Sequence, residues 1–371
     1  MAKISAFKPA LPHLNNISSF DDFFGTAKKK FPNYLKEGFY KKQEKESIFV
    51  YRILKPNRSH TGIIACASLL DFIEGKIKKH ENTLAAKEIQ MEEIFRERNA
   101  VIKPVLLTYP NVLEIDAWMN RITASQPFSF RIPFEDEEHL FWEIQDQELI
   151  QYVSHLFAKK VKSTYICDGH HRTATAEKLF ELYGNKKEES NPYNYLLAGF
   201  FAASEVVINN FNRALTSLHG LSAEIFLSKL KKYFLVSPQT QAYRPVKTHE
   251  MGMQLQQNWY KLELKKECLP QTESISDRLD VSIFNTFILQ NILGISDVRA
   301  DETIKYIEGT KGVASLEKKG EADKYGASFI LYPLALEDMI QISDQMGTLP
   351  PKSTFIEPRM RNGFVAQLYQ L

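Results

Sequence analysis

Cysteine is scarce in this sequence of 371 residues, which contains only Cys66, Cys167 and Cys268. The three lie about a hundred residues apart. That spacing excludes a dense disulfide framework and a cysteine-ligated zinc site. Cys167 falls inside an apolar segment, which favours core packing over nucleophilic chemistry. So few and so widely spaced thiols are typical of a protein from a reducing compartment.

Long apolar runs are also missing. No segment reaches the roughly 18 apolar residues that a membrane-spanning helix needs. The longest candidate, Tyr195–Val207, is interrupted by Ser204 and Glu205 and predicts a buried strand. The first residues, MAKISAFKPALPHLNN, lack the apolar core of a signal peptide. We therefore expect a cytoplasmic protein without a membrane partner.

The charges of the sequence nearly cancel. Lys and Arg number 47 and Asp and Glu number 45, which gives a net charge of +2 with neutral histidines. No field of one sign is available to attract nucleic acid, so nucleic acid is not an expected partner. The fingerprints GxSxG, Walker A, GxGxxG and HExxH do not occur. The sequence therefore carries no signature of a serine hydrolase, a P-loop or Rossmann site, or a zinc protease.

What the sequence does contain is an irregular alternation of predicted strands and helices. Its hydrophobic fraction of 44% suffices for a sizeable core, and its length exceeds that of a usual single domain. The strands Ser47–Ile53 and Thr61–Ala67 flank a polar turn and predict an antiparallel hairpin. The acidic cluster Glu135–Glu138 predicts a solvated turn or a helix start. We predict a mixed α+β (α/β) fold with two α+β domains, 1–210 and 211–371.

The most informative segment is the motif DGHHR (Asp168–Arg172), which follows the apolar strand Thr164–Cys167. A strand, a glycine turn and a helix start leave unpaired backbone N–H groups and a positive dipole end directed at one point. Such helix starts bind phosphate, and Arg172 offers a guanidinium suited to it. Asp168 is a candidate to hold a metal ion or to orient a histidine. A common turn with hydrogen-bonded surface histidines is the alternative interpretation.

A second segment, Lys76–Thr83, combines several lysines with His80 and Glu81. Lysine runs are usually solvated surfaces, and that interpretation stays open. Glu81 is a candidate general base, because a carboxylate needs only to reach a substrate hydroxyl within about 3 Å. His80 is a candidate phosphate or metal partner. The lysines, Lys79 among them, would then neutralise phosphate charge.

These residues resemble the DUF1015 family of bacterial and archaeal proteins, whose function is unassigned. The resemblance runs through nearly the whole chain. Its matching segments are Tyr51-Arg52, Thr61-Gly62, Ile77–Glu81, Pro104–Pro110, Tyr165–Arg172, Arg278–Val281 and Pro350–Thr354. The chain departs from many members near its start, where Ala10–Leu14 replaces a Pro-Pro-Tyr-Asp-Val segment. If that segment helps to form the site, we expect this protein to take a different substrate from those members.

The DGHHR motif is also similar to that of the ParB/sulfiredoxin-like superfamily, which includes free serine kinases. In that superfamily the helix start cradles nucleotide phosphates. In the serine kinases a glutamate is the base for the substrate hydroxyl. The resemblance implies a ParB/sulfiredoxin-like N-terminal half in which phosphate is held by Gly169, His170, His171 and Arg172.

The same resemblance implies that Glu81 is the base and that Asp168 is a metal or substrate ligand. In the segment Pro350–Thr354, Lys352 is a candidate for a further phosphate contact. An exposed lysine after a rigid turn is the equal alternative for Lys352.

Three functions remain open on the sequence alone. The first is a nucleotide-dependent phosphotransferase for a small hydroxylated metabolite, in particular a free L-serine kinase, with Mg²⁺ and ADP or ATP. In it, Lys79 and His80 would steady the moving phosphoryl group. The second is a nucleotide-sensing binding protein without turnover, which needs the helix start but not Glu81. A homodimer is compatible with the sequence, because most soluble oligomers are two-fold dimers.

The third function is a metal-dependent hydrolase. Its ligands would be Asp168, His80, His170 and His171. The adjacent histidines disfavour it, because neighbouring side chains on a helix diverge.

Overall fold

The computed structural model describes residues 1–83, 85–188, 190–311 and 326–369. The chain divides into two compact units, Met1–Val206 together with Pro358–Leu371, and Val207–Glu357. Each unit contains its own sheets and its own helices. The predicted mixed α+β class is confirmed.

The strands of the described residues are numbered in chain order. They are β1 (Ile4–Ser5), β2 (Pro9–Pro12), β3 (Tyr40–Lys42), β4 (Ile48–Lys55), β5 (Arg58–Ser68), β6 (Ile77–Lys78), β7 (Ala100–Val101), β8 (Val105–Tyr109), β9 (Phe130–Phe134), β10 (Glu137–Ile144), β11 (Thr164–Asp168), β12 (Tyr195–Ala202), β13 (Val207–Asn209), β14 (Phe211–Leu215), β15 (Phe234–Gln239), β16 (Glu250–Leu255), β17 (Asn258–Leu264), β18 (Ile304–Glu308), β19 (Ala327–Leu331), β20 (Phe355–Glu357) and β21 (Ala366–Leu368).

The α-helices of the described residues are numbered in the same way. They are α1 (Phe20–Lys36), α2 (Leu69–Ile73), α3 (Ala85–Arg98), α4 (Leu113–Ser125), α5 (Gln147–Lys160), α6 (His170–Tyr183), α7 (Ala223–Tyr233), α8 (Ile275–Arg278), α9 (Asp280–Ile283) and α10 (Leu336–Asp344). Within the described part of the chain, no helix has the length and apolar character needed to cross a membrane.

The first unit is organised on a nine-stranded sheet in the order β6-β11-β8-β12-β5-β4-β10-β9, with β1 paired to β5. The neighbours β4 and β5 form the antiparallel hairpin that the sequence predicts. Their β-branched and aromatic residues, such as Phe49, Val50 and Ile63, are fully buried. Side chains of this kind fill a sheet that is covered by apolar groups, which explains why the hairpin lies inside the sheet.

The C-terminal segment departs from the predicted division into 1–210 and 211–371. Strand β21 pairs with β2 and with β7, both in the first unit. In addition, the side-chain oxygen of Gln367 accepts a hydrogen bond from the backbone N–H of Leu197 at 2.8 Å. Pro358–Leu371 therefore belongs to the first unit, and the other boundary lies between Val206 and Val207. Independent folding of the two units stays a prediction.

Within the acidic cluster Glu135–Glu138, the first two residues form the turn of the β9–β10 hairpin and the last two begin β10. Glu135 has a φ of 56° in this turn. The side chain of Glu137 is only 4% exposed, and its carboxylate lies 2.7 Å from both Lys55 and Arg361. The predicted turn is confirmed, but the prediction of a solvated segment is wrong for Glu137. Two cations replace the water that this carboxylate loses on burial.

The second unit contains a six-stranded antiparallel sheet in the order β15-β17-β16-β19-β14-β18. A separate two-stranded sheet joins β13 to β20. A π-helical segment, Phe284–Gln290, continues from α9.

Candidate functional site

The DGHHR motif forms the junction between β11 and α6. Gly169 has a φ of 113°, in the left-handed region that favours glycine. A Cβ atom on Gly169 would lie 2.9 Å from a guanidinium nitrogen of Arg172 and 3.0 Å from Cγ2 of Val105. The first backbone bond of the helix runs from the N–H of Thr173 to the oxygen of Gly169, at 2.9 Å. The amides of residues 170–172 therefore precede the first intrahelical donor and have no acceptor within the helix, which suits them to an anion.

Asp168 sits among three cations at this junction. Its Oδ2 atom lies 2.6 Å from Nη2 of Arg172 and 3.2 Å from Nζ of Lys103, and Arg359 acts on it electrostatically. Burial alone would raise the pKa of Asp168, but the three cations outweigh burial and hold that pKa well below its usual range. The excess of positive charge coincides with the positive end of the α6 dipole. This end of α6 is therefore suited to an anion.

The buried side chain of Arg172 stabilises the junction between β11 and α6. Its Nη1 atom donates hydrogen bonds to the backbone oxygens of Lys103 and Pro104, both at 2.7 Å. The residue is 8% exposed. Together with its ion pair to Asp168, these bonds connect the residues before β8 to the first turn of α6. Direct contact between Arg172 and phosphate stays a prediction.

Glu81 reaches the same junction through strand pairing. β6 and β11 are parallel neighbours, with Ile77 opposite Thr164. Because the carboxyl ends of parallel strands meet at one sheet edge, the residues after β6 emerge beside the residues after β11. Oε2 of Glu81 lies 3.5 Å from Nδ1 of His170, and the Glu81 side chain is 48% exposed. Glu81 therefore lies beside the start of α6, while its role as a base stays a prediction.

His80 and His170 form a buried pair beside Glu81. Their ring centroids are 4.5 Å apart and the rings are inclined at 74°. Burial lowers the pKa of His80 to about 4 and lowers the pKa of His170 well below its ordinary value. Among the described residues, Nδ1 of His80 and Nε2 of His170 have no hydrogen-bond partner. Both rings are therefore neutral near pH 7, and each has one unused polar atom.

Two other predicted residues lie on the surface of this region. Lys79 is exposed. Burial raises the pKa of Glu177 on α6, and Lys79 opposes that effect, so Lys79 lies within electrostatic reach of the helix. His171 is half-buried and acts electrostatically on Glu88 of α3. The predicted phosphate contacts of Lys79 and His171 stay predictions.

Lys352 belongs to the second unit. It is exposed, it has a φ of 56°, and its Nζ atom lies 5.3 Å from the centroid of the Phe211 ring. Its backbone oxygen accepts a hydrogen bond from Nη2 of Arg213 at 2.8 Å. These contacts agree with an exposed lysine in a turn. The phosphate contact predicted for Lys352 stays a prediction.

The donor set around Asp168 does not fit a protein-held Mg²⁺ ion. The carboxylate of Asp168 is already paired with Arg172 and Lys103, which would oppose a further cation. Within the ranges that the structure describes, no group of three or more His, Cys, Asp or Glu side chains is arranged to hold a metal ion. The metal-dependent hydrolase hypothesis gains no support from this geometry, and we derive no step through a metal ion at Asp168.

Sequence reasoning missed two residues of this site, Lys103 and Arg359. Lys103 precedes β8, which is antiparallel to β11, so its backbone lies beside the end of β11. Arg359 follows β20 in the segment that returns to the first unit. A basic residue at each place is visible in the sequence. Their approach to Asp168 depends on strand order, for which the sequence carries no local signal.

The fold and this junction define an α+β protein whose candidate site is a glycine-initiated helix start beside clustered cations. The chain belongs to the DUF1015 family, a family of proteins of unknown function, whose sequence profile matches residues 9–282. No protein of curated function matches the sequence. The likeness of the DGHHR motif to the ParB/sulfiredoxin-like superfamily stays a prediction.

Several solved structures are similar to this chain at low identity. A free serine kinase mutant in complex with ADP is 13% identical, with 82% of this chain and 92% of that chain covered and a TM-score of 0.38. SbnI with a C-terminal truncation, from Staphylococcus aureus, is 10% identical, with 81% and 85% covered and a TM-score of 0.42. A conserved hypothetical protein from Pyrococcus furiosus is 12% identical, with 82% and 95% covered and a TM-score of 0.37. At these values the similarities carry no argument about function.

Proposed function

We propose that this protein is a nucleotide-dependent phosphotransferase for a small hydroxylated metabolite, with free L-serine as the acceptor to test first. One observation carries the proposal. At a single sheet edge, the start of α6 and the cations around Asp168 adjoin the half-exposed carboxylate of Glu81. A helix start with excess positive charge is suited to phosphate. A carboxylate beside it is suited to a substrate hydroxyl.

The nucleotide phosphates are assigned to the start of α6. The left-handed conformation of Gly169 directs the amides of His170 and His171 toward the phosphate oxygens. Lys103 and Arg359 offset phosphate charge, and Arg172 keeps Asp168 and the helix start in place. Mg²⁺ is expected to enter as part of the metal–nucleotide substrate, not as an ion held by Asp168.

Glu81 is assigned as the general base. Its carboxylate takes the proton of the acceptor hydroxyl while the hydroxyl oxygen forms a bond to the terminal phosphorus. The bond from that phosphorus to the bridging oxygen breaks, and the shortened nucleotide leaves with the electron pair. His80, neutral because burial lowers its pKa, and the exposed Lys79 steady the transferred group. The acceptor, a homodimer and a cytoplasmic location all stay predictions.

The test separates binding from turnover. Calorimetric titration with ADP, AMP and ATP measures binding, and ³¹P NMR with L-serine and Mg²⁺ measures phosphoryl transfer. ADP and AMP come first because they are the ligands named for the similar free serine kinase structures. We expect Glu81→Gln to keep nucleotide affinity and to lose turnover by about a hundredfold or more. Glu37→Gln, at an exposed glutamate, is the matched control and should behave as the wild type.

Three outcomes would change the assignment. Absence of nucleotide binding by the wild type removes the phosphate site altogether. Binding without consumption, with serine and with other small alcohols, leaves the nucleotide-sensing protein as the function. Turnover that Glu81→Gln does not lower assigns the base to another residue.

A further inference from the structure

The second unit contains a partly open cavity of about 410 Å³ whose lining residues all belong to that unit. This volume lies within the range of small-molecule pockets. The lining includes apolar side chains from several elements, among them Phe211, Leu279, Val281 and Leu331. It also includes two buried groups of opposite charge, Arg213 and Asp280. The other charged residues of the lining, Glu273, Arg278 and Asp338, are more exposed than these two. A cavity with an apolar part and a few buried polar groups is typical of a ligand site.

Arg213 is a buried cation without an acidic partner among the described residues. It lies on β14, is 1% exposed, and donates hydrogen bonds to the backbone oxygens of Phe211 and Lys352 at 2.6 and 2.8 Å. Its guanidinium also lies 4.7 Å from the centroid of the Tyr306 ring. Nε has no partner within the described ranges. Burial lowers the pKa of Arg213 to about 10 because neutral acceptors compensate the charge only in part.

Asp280 is a buried carboxyl without a cationic partner among the described residues. It is 6% exposed, and its Oδ1 atom accepts a hydrogen bond from the backbone N–H of His249 at 2.8 Å. Burial raises the pKa of Asp280 to about 7, the nearby Glu250 adds to the rise, and backbone donors oppose it. No basic side chain of the described residues offsets this charge. An ammonium group beside Asp280 would supply that compensation.

The two buried charges do not neutralise each other. Arg213 lies on β14 and Asp280 is bonded to the residue that precedes β16, while β19 lies between these strands. Adjacent strands are about 4.8 Å apart, so the backbones of β14 and β16 are separated by about 10 Å across β19. Neither group is among the electrostatic influences on the other. One ligand can compensate both only if its own charges are separated.

We propose that this cavity binds an ω-amino carboxylate, a small ligand with an anionic group at one end, a protonated amine at the other and an apolar chain between them. The carboxylate pairs with Arg213 and the ammonium pairs with Asp280. The methylene chain packs against Leu279 and Val281, which line the same cavity. The adjacent charges of an α-amino group and its carboxylate do not span this separation. The assignment goes beyond phosphoryl transfer and does not depend on it.

The test uses the full chain and three probes of one length. 5-Aminopentanoate carries both charges, pentanoate carries only the anion, and pentylamine carries only the cation. Thermal unfolding and calorimetric titration should show that 5-aminopentanoate binds at least about tenfold more tightly than either single-ended probe. The Arg213→Met variant should bind 5-aminopentanoate no more tightly than it binds pentylamine. The Asp280→Asn variant should bind 5-aminopentanoate no more tightly than it binds pentanoate.

The controls separate lost binding from lost folding. Arg299→Met and Glu224→Gln change exposed residues of the second unit and should bind as the wild type does. Where a charge variant does not fold, Leu334→Trp fills the cavity from its wall, leaves both charges in place and should abolish binding. The proposal is overturned if the wild type binds none of 4-aminobutanoate, 5-aminopentanoate and 6-aminohexanoate. It is also overturned if the folded variants at Arg213, Asp280 or Leu334 bind them unchanged. Nucleotide titrations on the same samples report on the first unit separately.

Discussion

The carboxylate of Glu81 lies 3.5 Å from Nδ1 of His170, at the edge where the parallel strands β6 and β11 both end. Burial lowers the pKa of His170 well below its ordinary value, so the ring is neutral near pH 7. Because the neutral His170 ring carries no charge, it does not form a permanent ion pair with the carboxylate of Glu81. The carboxylate of Glu81 therefore stays available to a substrate hydroxyl, as its proposed role requires.

The buried ring of His80 is expected to matter more for turnover than for stability. Its Nδ1 atom has no partner among the described residues, and its ring packs edge-on against His170. His80→Phe keeps an aromatic ring and removes both ring nitrogens, of which Nδ1 has no partner, so we expect the free energy of unfolding to stay within about 1 kcal/mol of the wild-type value. Phosphoryl transfer should fall at least about tenfold. Urea unfolding and ³¹P NMR measure the two effects, with His155→Phe as an exposed control. Unchanged turnover would limit His80 to packing.

Arg172 is expected to act chiefly on the stability of the helix start. Arg172→Lys keeps the charge but cannot reproduce the bonds to Asp168 and to the oxygens of Lys103 and Pro104. We expect a loss of about 2–3 kcal/mol in the free energy of unfolding, and weaker nucleotide binding. Lys103→Met, which removes one half-exposed ion pair, should cost less than about 1 kcal/mol. Equal losses in the two variants would contradict the bracing role of Arg172.

Gly169 is expected to tolerate no side chain. Gly169→Ala places a Cβ at 2.9–3.0 Å from Arg172 and Val105, on a backbone with a φ of 113°. Strain of this kind costs about 1–3 kcal/mol, and the displaced amides should bind phosphate less well. Gly25→Ala is the matched control, because Gly25 lies inside α1 with nothing within 4 Å of a new Cβ. That substitution should stabilise the protein by about 0.5–1 kcal/mol. Thermal unfolding of both variants measures the two effects. A Gly169→Ala variant more stable than the wild type would contradict the predicted steric clash.

The buried carboxylate of Glu137 joins a short chain of polar groups. Burial raises the pKa of Tyr51 well above its ordinary value, and its hydroxyl shares a hydrogen bond of 2.6 Å with Nδ1 of His139. Nε2 of His139 lies 3.3 Å from Oε2 of Glu137. Burial alone would raise the pKa of Glu137, but bonds from His139, Lys55 and Arg361 outweigh burial and hold that pKa well below its usual range.

This depressed pKa fixes the pH dependence of the stabilisation by Glu137. A carboxyl whose pKa is lower in the folded state stabilises the fold above its unfolded pKa, about 4.3, and loses that effect as the pH falls toward the folded value. Glu137→Gln should therefore cost about 3 kcal/mol at pH 7, and the difference from wild type should shrink below about pH 4. Urea unfolding at both pH values measures it. Glu138→Gln, at the exposed neighbour, should show no comparable loss. A pH-independent difference would assign the effect to packing.

Local features of this protein followed from local sequence. The β-branched and aromatic residues of β4 and β5 specify a hairpin, because such side chains favour paired strands around a polar turn. The motif DGHHR specifies a strand, a left-handed glycine and a helix start, because the φ of 113° at Gly169 favours a residue without a Cβ. The mixed α+β class follows from the irregular alternation of such segments.

The composition of the site, the burial of Glu137 and the pairing of β21 depended on the order of strands that are distant in the sequence. The parallel pairing of β6 with β11 brings Glu81 to His170, and the antiparallel pairing of β8 brings Lys103 to Asp168. The acidic cluster predicts a solvated Glu137. Only the tertiary structure shows that its carboxylate is buried beside Lys55 and Arg361. The return of β21 to the first unit likewise rests on pairing across the chain. A sequence records which residues favour a strand, but the neighbour of each strand depends on how all apolar faces and backbone groups are satisfied together.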